Sequence, residues 1–416
     1  MSSFEADRMK DIEFSGIRKV FEEVEKIKAE RMKDIPPSTI MGVFDQVSAL
    51  KAEGRSIVSL FIGRPDFDTP DHIKDAAKEA LDAGMTAYTS NYGIAELRQA
   101  IAEKLKNDNG LVFDPDTQII VTSGANEAVF MAMMALLNAG DEVIVPDPMW
   151  SHYFQCARLA EARVVSVPMD EQNGYQLNPD DLEKAITDKT RMLVLNSPHN
   201  PTGVIYTHET VEAIAEVVER HGLLLISDEI YDRITYDDVE LVSPGTIESI
   251  ADRTITINGF SKTYSMTGWR LGYVAAHPDL TKAMIRVHQY TTVCATSFAQ
   301  VGGVAALTGP QDSVGEMVAE FDRRRQVIVE AFQEMPGASV VEPKGAFYVF
   351  PNISALGRSA QQVADELLRE AGVAVVPGHV FGVTGEGHIR ISYAASLEDV
   401  KRGMEALIEY WVKNLK

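Results

Sequence analysis

Lys262 has the setting most suited to covalent chemistry. It lies in Asn258-Gly259-Phe260-Ser261-Lys262-Thr263-Tyr264-Ser265-Met266-Thr267-Gly268-Trp269-Arg270, with Thr254-Ile255-Thr256-Ile257 before it and an apolar run from Leu271 to Ala276 after it. Both flanks read as strands, so the lysine sits on a turn of small residues between them. An amine held among apolar neighbours favours its neutral form, and a neutral amine is a Schiff-base nucleophile. Ser261 and Arg270 suit a phosphate, one as a hydroxyl donor and the other as a planar cation. Taken alone, the stretch reads better as a solvated turn with an ordinary surface lysine.

Other residues of the same chemical kind lie elsewhere. Asp228 ends the apolar run Leu223-Leu224-Leu225-Ile226, where a carboxylate is costly unless a cation pairs with it. Tyr231 follows three positions later. Ser123-Gly124-Ala125-Asn126 follows one strand and opens a helix, and small residues there let backbone N–H groups face an anion. Asn196-Ser197-Pro198-His199-Asn200-Pro201-Thr202-Gly203 is a good turn sequence in its own right. Trp150, in Asp147-Pro148-Met149-Trp150, stands just past a strand end.

These motifs, in this order, resemble the class I aminotransferases, enzymes of pyridoxal 5′-phosphate with the aspartate-aminotransferase fold. The resemblance runs from about Pro36 to the C-terminus. It implies that Lys262 carries the cofactor and moves the substrate's α-proton, with Asp228 holding the pyridine nitrogen protonated. It also implies that Tyr231 and Asn200 reach the phenolic O3′ and that Trp150 stacks on the ring. Gly124, Ala125, Asn126, Ser261 and Arg270 would hold the phosphate. Tyr88, with Tyr92 as its competitor, would reach the phosphate in the neighbouring subunit of a homodimer with shared sites. Arg390, in His388-Ile389-Arg390-Ile391-Ser392-Tyr393, would grip the substrate α-carboxylate, beside Gly63, Asn200 and Trp150. Gly345-Ala346-Phe347-Tyr348 resembles a family loop that lines the site. The implied substrates are an amino acid and a 2-oxo acid such as 2-oxoglutarate, and no metal is expected.

Three positions depart from the family pattern. Gly259 stands where many members carry a phosphate-binding serine, and Arg64 where they commonly carry an acid. Asn126 replaces a lysine frequent in bacterial aspartate aminotransferases. Aspartate, aromatic and alanine-type donors therefore all stay open. A β-eliminating lyase or synthase on the same fold is the rival reading, and a non-enzymatic ligand sensor is a rival of another class.

The elements that must position these residues follow from periodicity. Short apolar runs at Ile119–Val121, Val143–Val145, Val164–Val167, Leu193–Asn196, Leu223–Ser227, Thr254–Ile257 and Leu271–Ala275 alternate with helical stretches. That alternation predicts an α/β fold, with a mostly parallel seven-stranded sheet flanked by helices in a large domain over 70–310. A smaller α+β domain is expected from 36–69 and 311–416. Residues 1–35 form an extension: Arg8-Met9-Lys10-Asp11-Ile12 recurs as Arg31-Met32-Lys33-Asp34-Ile35, and each copy reads as one amphipathic helix.

Bulk properties narrow the class. The 416 residues are 45% apolar, enough for a large core. The net charge of −22 argues against nucleic acid or an anionic membrane as partner. No apolar run approaches the ~20 residues of a membrane span. The N-terminus lacks the pattern of a signal peptide, and Cys156 and Cys294 alone make no disulfide framework, so a reduced cytoplasm is expected.

Overall fold

Apolar strands that bury both faces must be covered on both sides, and that requirement organises the chain. The structure, a computed structural model, describes residues 32–415. The chain divides between Pro37 and Ser38, and the architecture described is that of the second unit. The first helical copy of the N-terminal repeat lies outside the described residues. The second forms the helix Thr39–Ala52, whose N-cap Ser38 accepts a hydrogen bond from the Met41 N–H.

A short strand, β1 (Val58–Ser59), precedes the central sheet. Its seven strands are β2 (Ile119–Thr122), β3 (Glu142–Asp147), β4 (Arg163–Pro168), β5 (Thr190–Asn196), β6 (Leu224–Asp228), β7 (Thr254–Gly259) and β8 (Gly272–Ala275). They lie in the order β2-β8-β7-β6-β5-β3-β4, parallel except for β8, which runs antiparallel to both neighbours. All seven apolar runs are thus strands of one sheet.

The period of two along a strand divides the core. Leu193 and Leu195 of β5 pack in one cluster with Val211, Ile214 and Ala215 of the helix His208–His221. Met192 and Val194 of the same strand pack in another, with Ala128, Met131 and Ala132 of the helix Ala125–Leu136. A third cluster joins the 22-residue helix Asp312–Gln333 to the helix Leu397–Asn414.

The remaining strands are short: β9 (Tyr348–Val349), β10 (Val373–Ala374), β11 (Val376–Pro377) and β12 (Ile389–Ser392). β12 pairs antiparallel with β11 and β9, while β1 pairs parallel with β10, tying the segment before the central sheet to the C-terminal third.

Candidate active site

In a parallel sheet every strand delivers its following loop to the same edge, so side chains far apart in sequence converge beyond the carboxyl ends. Here β2, β3, β5, β6 and β7 deliver Ala125 and Asn126, Trp150, Asn200, Tyr231, and Ser261 with Lys262 to one cavity of about 240 Å³. Arg390, on β12, and Gly63 reach it from the other side.

Lys262 Nζ donates to the Gly63 carbonyl at 2.6 Å and lies 5.9 Å from the centre of the Phe347 ring. Burial, then the positive charges of Arg390 and Arg270, bring its pKa down to about 8, against a smaller opposing pull from Asp228. Near neutral pH a usable fraction of the amine is therefore unprotonated, as a nucleophile or base requires.

Asp228 ends β6 and is 6% exposed. The Tyr153 hydroxyl donates to its Oδ2 at 2.7 Å and the Ile230 N–H to its Oδ1 at 3.1 Å. Burial nonetheless lifts its pKa to about 6, because neutral donors offset only part of the lost hydration. Among the described residues no cation lies within ion-pair distance of this carboxylate. A cationic N–H at its open side would relieve the burial penalty.

Arg390 is 1% exposed and donates to Asn200 Oδ1 at 3.0 Å and to the Phe61 carbonyl at 2.8 Å. Its guanidinium stacks 4.4 Å from the Tyr348 ring centre and 4.8 Å from that of Phe381. Burial lowers its pKa, and its Nε has no hydrogen-bond partner, so a carboxylate is the ligand that suits it. Asn196 links the loops: its Oδ1 accepts from the Asn200 N–H at 2.9 Å and its amide donates to the Asp228 carbonyl at 3.0 Å. The Tyr231 and Tyr348 hydroxyls are 3.1 Å apart.

The anion-facing end is built from close backbone approaches. Gly124 has φ +83°, and a Cβ there would fall 2.5 Å from Arg270 Nη2. A Cβ on Gly272 of β8 would fall 2.6 Å from the Ala125 nitrogen, so only glycine lets the strand back onto this turn. Arg270 donates to the Thr267 carbonyl at 3.1 Å and to the Ser123 carbonyl at 3.5 Å. The helix Ala125–Leu136 opens directly from this turn, and its first N–H groups point toward it.

Most of the residues singled out from the sequence meet in this cavity. Lys262, Asp228, Tyr231, Ala125, Asn126, Trp150, Asn200, Ser261, Arg270, Gly63 and Arg390 all line it. Gly124 lies under Arg270 at its edge. Tyr88 does not join them; it is 85% exposed. Arg64 is exposed too and lines a separate depression with Asp66 and Trp269. The sequence reading did not single out Tyr153, His152, Ile40, Ile230 or Thr267, which also line the cavity. Tyr153 and His152 follow Trp150 on the helix Ser151–Leu159, but nothing local marks Tyr153 as the partner of Asp228.

A lysine with a lowered pKa, a buried acid with no cation beside it, a close backbone turn beside Arg270 and a buried arginine suit one class of enzyme, which binds a phosphorylated pyridine aldehyde and works on an amino acid. Comparison with known proteins makes the assignment. Residues 55–407 match the family model described as aminotransferase class I and II. The chain is 44% identical to aromatic-amino-acid aminotransferase 2 of Thermococcus litoralis over 353 residues, 84% of this chain and 90% of that protein. It is 45% identical to the aspartate aminotransferase of Pyrococcus abyssi, over 85% and 91% of the two chains. The crystal structure of the aspartate aminotransferase from Rhizobium meliloti superposes with a TM-score of 0.89 at 39% identity, covering 94% of this chain and 99% of that one. The chain belongs to the class I and II aminotransferases. It is a pyridoxal 5′-phosphate-dependent enzyme that moves an amino group from an amino acid to a 2-oxo acid.

Proposed function

We propose that the cavity between Lys262 and Arg390 is the transamination site and that its preferred amino donor has an uncharged, aromatic or aliphatic side chain. When bound, pyridoxal 5′-phosphate supplies an aldehyde that condenses with amines and a pyridinium ring that withdraws electrons. Arg390 holds the α-carboxylate, and Asn200, already bonded to Arg390, aligns it. Lys262 Nζ would serve as the base that takes the α-proton and returns it one carbon away. Asp228 would face the ring nitrogen and keep a proton there. Tyr231, bonded to Tyr348, would reach the phenolic oxygen together with Asn200. Trp150 would cover the ring and exclude water. Ser261, Arg270, Gly124, Ala125 and Asn126 would hold the phosphate. The oxo acid leaves before the acceptor, such as 2-oxoglutarate, enters, giving a ping-pong cycle.

The donor assignment rests on the wall that the substrate side chain meets. Ile40, Trp150 and Tyr348 line the cavity, and of its two arginines Arg270 is assigned to the phosphate, which leaves Arg390 for the substrate. Arg64 lies outside it, and burial lowers the pKa of His152, so that ring adds no charge at neutral pH. Within one chain, a second carboxylate would meet no arginine besides these two, which is unfavourable in a buried site. The observation that carries the whole reading is the convergence of Lys262, Asp228 and Arg390 on one cavity. A panel of amino acids assayed with 2-oxoglutarate tests it. Phenylalanine, tyrosine or alanine should exceed aspartate in kcat/KM, whereas preference for aspartate would overturn the donor assignment.

The working molecule is proposed to be a cytoplasmic homodimer in which Tyr88 completes the partner's site. Tyr88 and Tyr290 are each 85% exposed, more than isolated aromatic side chains need to be, and this supports burial against a second copy. Among the described residues, no helix is long and apolar enough to cross a membrane. The division into a large part over 70–310 and a small part from 36–69 and 311–416 belongs to the same reading. It is supported by the β1–β10 pairing, which joins the two segments of the small part.

A further inference from the structure

Behind the anion-facing turn lies a buried pair that the reaction itself does not use. Glu127, in the first turn of the helix Ala125–Leu136, accepts the Ser123 N–H at 2.5 Å through Oε2. Its Oε1 accepts from Nδ1 of His288 at 2.9 Å and from the Thr292 hydroxyl. His288 has a fully buried side chain on the helix Pro278–Thr291 and directs its Nδ1 proton at the carboxylate. Burial works against the charge on Glu127, but the donors His288, Thr292 and the Ser123 N–H outweigh it and hold its pKa below the usual value.

An ionised carboxylate one turn from a phosphate site opposes the phosphate by charge. Its benefit must therefore come through geometry. Ser123 is held at both of its backbone groups, the N–H by Glu127 and the carbonyl by Arg270. The next residue, Gly124, has φ +83°, and its carbonyl accepts from the Thr122 hydroxyl at 2.9 Å.

We propose that Glu127 and His288 are positioning residues, a brace that fixes the Ser123-Gly124-Ala125 turn in its phosphate-accepting shape. The inference rests on the assignment of this turn to the cofactor phosphate. The test is the selectivity of the full-length, cofactor-stripped chain for pyridoxal 5′-phosphate over pyridoxal, which lacks the phosphate, read by equilibrium titration. In Glu127→Gln, and in His288→Leu, the ratio of the two affinities should fall by about tenfold, the equivalent of one lost hydrogen bond to a charged group. His288→Asn, whose amide can donate where Nδ1 does, should recover most of the ratio. An unchanged ratio in both variants, or equal weakening of both ligands, overturns the brace. If the unsubstituted chain shows no preference for the phosphorylated ligand, the phosphate assignment fails first and the brace with it.

Discussion

Asp228, proposed to face the ring nitrogen, works against the stability of its own fold. Its pKa rises from 3.8 to about 6 on burial, so between these values the folded chain binds more protons than the unfolded one. Stability therefore falls as pH rises through that window, and the cost of the buried charge is present in full above pH 6. Asp228→Asn in the cofactor-free chain should raise stability above pH 6 by on the order of 2 kcal/mol and leave it unchanged near pH 4, as thermal melts at the two pH values would reveal. The same variant should bind the cofactor more weakly, because the ring N–H loses its anion. Lys262→Ala should lose turnover together with covalent attachment. After borohydride reduction, mass spectrometry should find no cofactor adduct on the peptide containing residue 262, and an adduct elsewhere in the chain would refute the assignment. Lys262 and Asp228 were legible because each sits in an abrupt local change of polarity at a strand end. Tyr153 was not, since its contact with Asp228 spans 75 residues and depends on how a helix packs against β6. Periodicity within a segment carries no such information.

At the scale of elements, the sheet was readable because strands buried on both faces become continuous apolar runs. The two-residue strands β1, β9, β10 and β11 exist only through pairing with distant partners, so composition hardly marks them. The first turns of the long helix Asp312–Gln333 are equally hard to read, because Gly315 and flanking acids obscure the apolar spacing. Close packing between elements is equally invisible in a sequence, and Gly272 illustrates its consequence. Gly272 of β8 abuts the first residue of the helix Ala125–Leu136, with a Cβ position 2.6 Å from the Ala125 nitrogen and 2.7 Å from the Gly124 carbonyl carbon. Backbone on both sides leaves no flexible atom to yield. Gly272→Ala should destabilise the protein by roughly 1–3 kcal/mol, the usual range for overpacking. It should also weaken the cofactor more than the fold, because the displaced element is the turn proposed to hold the phosphate. Chemical denaturation beside a cofactor titration would separate the two effects.

At the scale of the whole molecule, one chain gathers Lys262, Asp228 and Arg390 in one cavity, yet Tyr88 stays on the surface. If its role is in a second copy's site, each site draws Lys262 from one chain and Tyr88 from the other. Two inactive or impaired chains can then complement each other. Lys262→Ala homodimers should be inactive, and Tyr88→Ala homodimers should show weakened cofactor binding. In a mixed dimer, one site combines Lys262 of the Tyr88→Ala chain with Tyr88 of the Lys262→Ala chain and is unaltered, while the other carries both defects. Random pairing of equal amounts makes half of the dimers mixed, so about one quarter of all sites should regain the full cofactor affinity and turnover of the unsubstituted enzyme. The measurement is kcat per total chain, after denaturation and joint refolding, against the sum of the two variants refolded separately. Simple additivity in that experiment would mean that each chain builds its site alone and that Tyr88 belongs to the surface on which it is found.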